Sequence, residues 1–288
     1  MWLKTPMLAH KYVEHPEKVK FPCFLQPKLD GVRATFEEGK FISRHKKNFQ
    51  VDDRLLSQAK LLRTELFAQK NQFLIMCSEE PILDGEFYIH GLGFDYISGQ
   101  VRNHQKQKSV TMEFHIFDLA ISGVPFIERW KKIQDVLNYL GSSLSLIKLV
   151  PVIEVTSYEE IDQWLERFIQ KGYEGMMIRN NSFYQDKRTY DLLKYKKYKT
   201  IIGTIVDFEE GQGRLEESCG ALIVKIDGSF PSASIGSGLD DSLRRALWLN
   251  KSWYKGKKIE IEYQEESSKG TLRFGRFKQF VEEEKEIV

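Results

Sequence analysis

Two short motifs place basic side chains where they could share a pocket with a negatively charged group. The first reads Gln26-Pro27-Lys28-Leu29-Asp30-Gly31-Val32-Arg33. Pro27 discourages regular strand pairing just before the lysine, and Gly31 permits a tight turn just after it. Arg33 is expected to return on the next strand, so that Lys28 and Arg33 face one pocket. By itself, a four-residue K-x-D-G pattern also occurs by chance in many proteins.

The second basic motif is Leu192-Leu193-Lys194-Tyr195-Lys196. Strand alternation sends Lys194 and Lys196 to one side of the strand, and Leu193 and Tyr195 to the other. A strand with its apolar face buried would therefore present two ammonium groups together. The alternative interpretation of this lysine-rich stretch is an ordinary basic surface.

Two acidic motifs lie within apolar stretches. Asp84-Gly85-Glu86 is part of a strand-like run, and alternation places both carboxylates on the same face. A solvated strand edge is the alternative for this motif. Glu174-Gly175 leads directly into the apolar run 176–178. Because Glu174 is so close to that run, we do not expect it to be an ordinary solvent-exposed residue.

Helices and short strands alternate irregularly around these motifs. Apolar periodicity predicts helices over 126–141 and 157–172, the second with a capping box of Ser157 and Glu160, and a weaker helix over about 52–69. Strand-like runs lie at 21–28, 33–44, 81–89, 113–120 and 173–180. Because no regular βαβ order connects them, the pattern favours an α+β domain of antiparallel sheets with helices.

The pattern changes near Thr200. Strand-like runs at 200–208, 220–226 and 257–264 are separated by glycine-rich turns, with one helical stretch at 239–250. About five short strands and a helix in this length fit a small β-barrel of the OB-fold type. We therefore predict two domains, 1–199 and 200–288.

Composition is that of a globular chain. Of the 288 residues, 41% are hydrophobic and 29% are charged, which predicts packed cores beneath a soluble surface. No window approaches the roughly 18 apolar residues of a membrane helix, so we expect no membrane partner and a cytoplasmic location. Residues 1–199 hold 30 Lys and Arg against 25 Asp and Glu, which allows a polyanionic partner there.

Taken in order, the motifs K-x-D-G-x-R, S-R, D-G-E, F-D, E-G-x-x-x-R and K-x-K resemble those of the covalent nucleotidyltransferase superfamily of DNA ligases, RNA ligases and mRNA-capping enzymes. The resemblance covers nearly the whole chain. Its short length and C-terminal segment look most like the minimal two-domain ATP-dependent DNA ligases of viruses and some bacteria. The connection 208–220 is too short for the long insertion with which the viral type closes around a duplex.

The resemblance implies a role for each matching position. Lys28 would be the nucleophile that becomes bonded to AMP, Lys194 and Lys196 would contact the α-phosphate, and Phe117 would stack on adenine. Glu174 and Glu86 would bind the metal, and Glu86 could instead hold the ribose. The nucleotide site would also include Gln26, Pro27 and Arg33, and the DNA contacts would be Arg44, Arg179 and Arg188. The pyrophosphate ligand is left open among Arg273, Arg276 and Lys278.

The implied reaction joins a 3′-hydroxyl to a 5′-phosphate at a nick in duplex DNA, with ATP and Mg²⁺ or Mn²⁺ as cofactors and a monomeric enzyme. A free lysine is almost wholly charged at neutral pH. We therefore expect burial and the nearby cations Lys194, Lys196 and Arg33 to keep Lys28 neutral. If the protein comes from a virus, we expect it in the cytoplasm of the host cell.

Three alternatives stay open from the sequence. An mRNA-capping guanylyltransferase shares the lysine chemistry and the second domain but uses GTP and RNA. An RNA ligase shares the first domain but usually carries other appendages. A nucleic-acid-binding module with decayed catalytic motifs would bind nicks without sealing them.

Overall fold

A computed structural model describes residues 5–69, 81–102, 111–226, 232–263, 265–266 and 271–281. Two compact units divide the chain, Met1–Lys196 and Lys197–Val288. The domain boundary predicted after residue 199 lies close to this division. Within the described ranges, no helix is both long and apolar enough to cross a membrane.

The first unit is built on two sheets. The first sheet has the spatial order β1 (Leu8–Lys11), β11 (Arg188–Tyr195), β10 (Gly175–Asn180), β2 (Cys23–Lys28) and β9 (Ile153–Val155). The second sheet has the order β5 (Asn48–Phe49), β4 (Lys40–Ser43), β3 (Val32–Glu37), β6 (Ile82–Tyr88), β7 (Glu113–Ala120) and β8 (Ile147–Leu149). Neighbouring strands are antiparallel except for β1 with β11 and β7 with β8. The predicted α+β class with antiparallel-rich sheets is confirmed.

The two sheets are joined directly by residues 29–31, between the end of β2 at Lys28 and the start of β3 at Val32. Arg33 lies on the next strand, β3, as the sequence predicted. That strand belongs to the other sheet, because the chain crosses from one sheet to the other within three residues. This crossing is the reason that a lysine and an arginine five positions apart come from two different sheets.

Four helices cover the sheets of the first unit. The helices α1 (Asp53–Ala68), α2 (Phe94–Arg102) and α3 (Phe126–Leu140) share one core with the second sheet, whereas α4 (Tyr158–Gln170) packs on the first. The three predicted helices correspond to α1, α3 and α4 and are confirmed. The sequence did not predict α2, because its nine residues include the helix-disfavouring Gly99.

The second unit contains a five-stranded antiparallel sheet. Its spatial order is β14 (Ala233–Ile235), β13 (Cys219–Ile226), β12 (Lys199–Glu210), β15 (Lys258–Tyr263) and β18 (Arg276–Phe280). The remaining elements are α5 (Asp241–Leu249), α6 (Lys251–Tyr254) and the strand pair β16 (Glu265–Glu266) with β17 (Leu272–Arg273). An isolated bridge joins Ser237, two residues beyond the edge strand β14, to Arg276 of the other edge strand, β18. Closing a sheet into a barrel requires its two edges to approach in this way.

The predicted pyrophosphate ligands of the second unit differ in their surroundings. The Lys278 ammonium donates to the Glu260 carboxylate at 3.0 Å, and Arg276 is exposed. The side chain of Arg273 lies outside the described part of the structure. The choice among these residues stays a prediction.

The N-terminus of α4 gives a test of local stability. The Ser157 hydroxyl accepts a hydrogen bond from the Glu160 N–H at 3.3 Å, and the Glu160 carboxylate accepts one from the Ser157 N–H at 3.2 Å. We expect Ser157→Ala to lower the free energy of unfolding by about 1 kcal/mol, because the helix loses this cap. Urea denaturation followed by circular dichroism measures the change. Ser143→Ala, at an exposed position outside any cap, is the control, and an equal loss in both variants would contradict the assignment.

Candidate active site

Three neighbouring strands of the first sheet bring together four of the predicted site residues. Lys28 is the last residue of β2 and lies opposite Gly175 of β10, so Glu174 stands beside it. Lys194 of β11 lies opposite Met177 of β10, and Lys196 follows the end of the same strand. Lys28 and Glu174, 146 positions apart in sequence, thus converge with the two lysines at the end of β11, because β10 lies between β2 and β11.

Glu174 bridges two lysines at the centre of this group. Its carboxylate oxygens form ion pairs with the ammonium groups of Lys28 and Lys196. The Glu174 side chain is 7% exposed, and the two lysine side chains are 22% and 12% exposed. Burial would raise the pKa of Glu174, but the two cations outweigh burial and hold that pKa below its usual value. Glu174 is therefore ionised.

The electrostatics of Lys28 differ from the prediction. Burial alone would lower the pKa of Lys28, but the carboxylates of Glu174 and Glu86 outweigh it, and the pKa stands above its ordinary value. The expectation that burial and neighbouring cations keep the amine neutral is therefore wrong. The predicted lowering of a lysine pKa occurs instead at Lys194 and Lys196. Burial lowers the pKa of both residues, and neighbouring lysines lower it further.

The second sheet supplies Arg33 and Glu86 at the same place. The Arg33 guanidinium donates two hydrogen bonds to the Asp84 carboxylate, at 3.0 and 2.6 Å, and a third to the Met7 carbonyl at 2.9 Å. The Tyr184 hydroxyl also donates to Asp84, at 2.7 Å. Asp84 is thus fully buried behind Arg33, and its interpretation as a solvated strand edge is excluded.

Gly31 is required by a close approach of the backbone. A Cβ atom at this position would lie 2.2 Å from the Phe87 carbonyl oxygen, and the Gly31 N–H donates to the Glu86 carboxylate at 2.9 Å. The glycine therefore allows the crossing between the sheets to pass close to β6. Burial raises the pKa of Glu86 to about 7, against the lowering effect of Lys28.

A pocket of about 290 Å³ opens between these groups. Ten of the twelve predicted site residues line it, namely Gln26, Pro27, Lys28, Arg33, Arg44, Glu86, Phe117, Arg179, Arg188 and Lys194. Glu174 and Lys196 lie behind the lining, in contact with Lys28 or with each other. The structure thus brings the predicted set together around one cavity.

Phe117 enters the pocket because β7 is irregular. In the pairing of β6 with β7, Asp84 lies opposite Asp118 and Gly85 opposite Ile116, so Phe117 is the extra residue of a β-bulge. A bulge redirects a side chain that regular alternation would place elsewhere. The ring is partly exposed, and the guanidinium carbons of Arg33 and Arg179 lie 5.3 and 5.6 Å from its centroid.

The predicted DNA contact of Arg179 requires correction. The Arg179 side chain is buried, donates to Asp118 at 2.8 Å and to the Gln26 side-chain oxygen at 2.7 Å, and forms part of the pocket wall. Because its guanidinium is buried and bonded to Asp118 and Gln26, Arg179 does not contact a DNA backbone in this arrangement.

Arg129 was missed by the sequence analysis. It donates to Asp118 at 2.7 and 3.0 Å from the buried face of α3. The sequence pattern that could have revealed Arg129 is its position on the apolar face of the predicted helix. A charged side chain that is buried there requires a partner of opposite charge.

Arg44 and Arg188 are placed as surface contacts would require. Both are exposed, and both line the rim of the pocket. Arg44 also lines a second cavity of about 700 Å³, together with the basic side chains of Arg33, Lys47 and Arg102. A phosphate backbone could therefore reach the pocket along a positively charged groove.

Comparison with known proteins places this arrangement in a family. Residues 6–196 match the family described as "ATP dependent DNA ligase domain", and residues 210–280 match "DNA ligase OB-like domain". The chain belongs to the ATP-dependent DNA ligase family. This membership favours a ligase over the capping-enzyme and RNA-ligase alternatives, and it confirms the expected OB-like domain.

Relatives of the family differ in length from this chain. A DNA ligase of Haemophilus influenzae is 25% identical over 237 residues, which cover 81% of this chain and 78% of that protein. A DNA ligase of African swine fever virus is 26% identical, covering 85% of this chain and only 60% of the relative. A solved structure of a Lig E DNA ligase covers 97% of this chain and all of its own, with a TM-score of 0.79 and 18% identity, and shares the fold.

The carboxylates of Glu174 and Glu86 fit a magnesium site. Mg²⁺ is usually held through one or two carboxylates together with substrate phosphates and water, rather than by a full protein cage. Across the described residues, no group of three or more His, Cys, Asp or Glu side chains could enclose a metal. Two acidic side chains beside Lys28 match the sparse pattern that Mg²⁺ accepts.

The Glu174 bridge predicts the response of Lys28 to a substitution. Glu174→Gln should lower the pKa of Lys28, because burial would then act against one fewer carboxylate. Competitive acetylation of Lys28 at a series of pH values, read by mass spectrometry, measures the midpoint. We expect the midpoint to move to lower pH. Glu154→Gln, an exposed position on β9, should leave the midpoint in place, and an unchanged midpoint in Glu174→Gln would contradict the bridge.

Proposed function

We propose that this chain is an ATP-dependent DNA ligase that seals nicks in duplex DNA through a covalent lysyl-AMP intermediate. The observation that carries the proposal is the position of Lys28. Its amine lies at a pocket lined by an aromatic ring and several cations, in a chain of the ATP-dependent DNA ligase family. The pocket thus combines a nucleophile, a stacking surface and charges of the sign that a triphosphate requires.

The proposed reaction has three steps. The Lys28 nitrogen attacks the α-phosphorus of ATP, a nitrogen–phosphorus bond forms, and pyrophosphate leaves with the electrons of the broken phosphorus–oxygen bond. The 5′-phosphate oxygen of the nick then attacks the same phosphorus and releases the lysine. Finally, the 3′-hydroxyl attacks the activated 5′-phosphorus, which closes the strand and releases AMP.

Lys28 must lose its proton before the first step. The ion pair with Glu174 stabilises the charged amine. Triphosphate oxygens entering the pocket would offer Lys194 and Lys196 new anionic partners. Because Lys196 is one of the two cations on Glu174, its movement toward phosphate would rearrange the bridge that holds the Lys28 proton.

The remaining residues of the pocket have distinct proposed roles. Phe117 would stack on adenine, while Lys194 and Lys196 would stabilise negative charge on the α-phosphate. Glu174 would hold Mg²⁺ or Mn²⁺, which when bound neutralises charge on the phosphate oxygens. Glu86 would either join Glu174 at the metal or hold the ribose. Arg33 lines the pocket, and Asp84 fixes its guanidinium beside the Phe117 ring.

DNA would be bound mainly through its backbone. Arg44 and Arg188 at the rim of the pocket, and the basic groove beside it, suit phosphate groups that carry no sequence information. Nicked duplex DNA as substrate, a monomeric state and a cytoplasmic location, in the host if the source is viral, are the corresponding predictions. A nick-sealing assay with nicked, linear and single-stranded substrates tests the substrate directly.

The role of Lys28 can be tested by covalent labelling. Lys28→Ala should abolish the acid-stable label formed with α-labelled ATP and Mg²⁺, because the variant has no amine to bond with phosphorus. It should still seal a nick whose 5′ end already carries AMP, since that step does not use the amine. Lys20→Ala, at a side chain that is 79% exposed, is the control and should label normally. Label on the Lys28→Ala protein would refute the assignment.

The role of Arg44 can be tested by salt dependence. Arg44→Ala should weaken binding of nicked DNA and reduce the slope of log affinity against log salt by about 1, as expected for one lost phosphate contact. Fluorescence anisotropy at several salt concentrations measures the slope. Arg54→Ala, exposed on α1, should keep the original slope. An unaltered slope in Arg44→Ala would show that this residue does not contact phosphate.

A further inference from the structure

A basic stretch interrupts the otherwise acidic second unit. Residues 200–288 hold 13 Lys and Arg against 16 Asp and Glu, whereas residues 242–258 hold six Lys and Arg and no acidic residue. Arg244 is buried and donates to three backbone carbonyls. The other five basic residues lie at the surface of α5, α6 and the start of β15, and we call them the basic patch: Arg245, Lys251, Lys255, Lys257 and Lys258.

Aromatic rings hold two cations of the basic patch. The Lys251 ammonium lies 2.9 Å from the centroid of the Trp248 ring, and the Lys257 ammonium lies 3.1 Å from that of Trp253. A ring face attracts a cation but has no net charge with which to cancel it. Both ammonium groups therefore keep their positive charge at the surface.

No carboxylate of the described residues pairs with the basic patch. The ion pairs described for the second unit join Arg214 to Asp241 and Lys278 to Glu260, and none of them includes a patch residue. Like charges held close together repel one another unless an anion lies among them. An acidic ligand would therefore stabilise this surface.

Two large apolar side chains are exposed among these cations. Leu249 is 80% exposed and Trp253 is 61% exposed. Arg245 and Leu249 are one turn apart on α5 and so share a face of the helix. The phosphates of a DNA backbone would pair with the cations but would leave the leucine and the indole uncovered. Apolar side chains rimmed by charge are typical of a surface that binds polypeptide, in this case one that carries both acidic and apolar side chains.

The described part of the chain ends beside this surface. The Val281 N–H donates to the Lys258 carbonyl at 3.0 Å, so the last described residue lies at the start of β15. Phe280, one residue earlier, stacks on the Tyr254 ring with 5.4 Å between centroids, and the Tyr254 ring lies 4.6 Å from that of Trp253. The next residues of the chain therefore start next to α6.

Those next residues, 282–288, have the complementary composition. They lie outside the described residues, and their sequence is four glutamates and one lysine followed by two apolar residues: Glu282, Glu283, Glu284, Lys285, Glu286, Ile287 and Val288. Seven residues of extended chain span at most ~23 Å. The segment can thus reach α6 and the end of α5 from its attachment at Val281.

We propose that residues 282–288 bind the surface of α5 and α6 in the same molecule, with glutamates on the basic patch and the apolar pair on Leu249 and Trp253. Attachment at Val281 gives the segment an effective concentration that is roughly millimolar, so individually weak contacts suffice. The ionic contacts are exposed and weaken as salt rises. Because both partners belong to the second unit, the proposal does not depend on the proposed function.

Zero-length cross-linking of the full chain locates the segment. A carbodiimide joins a carboxylate to an ammonium group in direct contact, and mass spectrometry identifies the joined residues. We expect residues 282–286 to join Lys255 and Lys257 at least about 5-fold more often than Lys199 and Lys225, which are exposed lysines of the same unit.

The two control lysines are within reach of the segment. Thr204 of β12 pairs with both Lys225 and Lys258, so Lys225 lies about 10 Å from the attachment point. Lys199 is five residues from Thr204 along β12, or about 17 Å. A segment that did not bind α5 and α6 would meet these lysines as readily as the basic patch.

Three results of the cross-linking would overturn the proposal. The first is an even spread over control and patch lysines, and the second is the absence of cross-links from the segment. The third is cross-links that join light and heavy copies in a mixture of unlabelled and ¹⁵N-labelled protein, because these would assign the surface to a second copy of the chain.

The apolar contact is tested with Leu249→Ala. This side chain is almost fully exposed, so the fold should persist, while the cross-link to Lys255 should fall about 3-fold or more through loss of buried apolar area. Ser252→Ala, exposed on α6, changes neither charge nor apolar contact and should keep the wild-type yield. An undiminished yield in Leu249→Ala would contradict the proposal, since ionic attraction alone needs no leucine.

A peptide added in trans provides an independent measurement. In a full-length variant with all four glutamates of 282–286 replaced by glutamine, the surface should be open, and a fluorescent peptide of residues 282–288 should bind at least about 10-fold more tightly than to the wild-type chain. Anisotropy at low salt measures both affinities. Equal affinities would overturn the proposal. Binding of duplex DNA but not of the peptide to the variant would assign the basic patch to DNA and also overturn it.

Discussion

The carboxylate of Glu174, held between the ammonium groups of Lys28 and Lys196, is the interaction on which the site depends. Two largely buried cations, at the ends of β2 and β11 on either side of β10, would repel each other, and the anion between them offsets this repulsion. Together with Glu86, the same anion raises the pKa of Lys28 and so favours the charged amine. A partner that drew Lys196 away from Glu174 would therefore change the charge that surrounds Lys28.

The two sheets of the first unit contribute different side chains to the pocket around Lys28. The first sheet supplies the proposed nucleophile, Lys28, and the lysines proposed to meet phosphate, because β2, β10 and β11 are neighbours. The second sheet supplies Arg33, Glu86 and the bulged Phe117, which line the same pocket. The three-residue crossing at Gly31 ties the sheets together at the reaction centre, and its backbone N–H also holds Glu86. Any shift between the sheets would thus change the distance between nucleophile and nucleotide.

Much of this could be predicted from local patterns. Helical periodicity and the capping box located α1, α3 and α4, and the order of motifs identified the residues that line the pocket. Strand alternation correctly set Lys194 against Leu193. What local patterns could not predict were contacts between distant segments. Asp118 and Arg179 are 61 residues apart, and nothing near Arg179 in sequence shows that its guanidinium is buried against a carboxylate rather than exposed to DNA.

The error about Lys28 has the same origin. Counting the cations of the motifs predicted a neutral amine, but the pKa of a buried group depends on which charge is in contact with it, and the nearest charge is negative. The pocket thus contains two kinds of cation. Arg33, Arg129 and Arg179 are each paired with Asp84 or Asp118 and form a rigid frame. Lys194 and Lys196 form a second kind, with Lys196 paired to Glu174, and the arginines at the rim are exposed. A site that must exchange partners at each of three steps requires cations of the second kind, supported by a frame of the first kind that does not change.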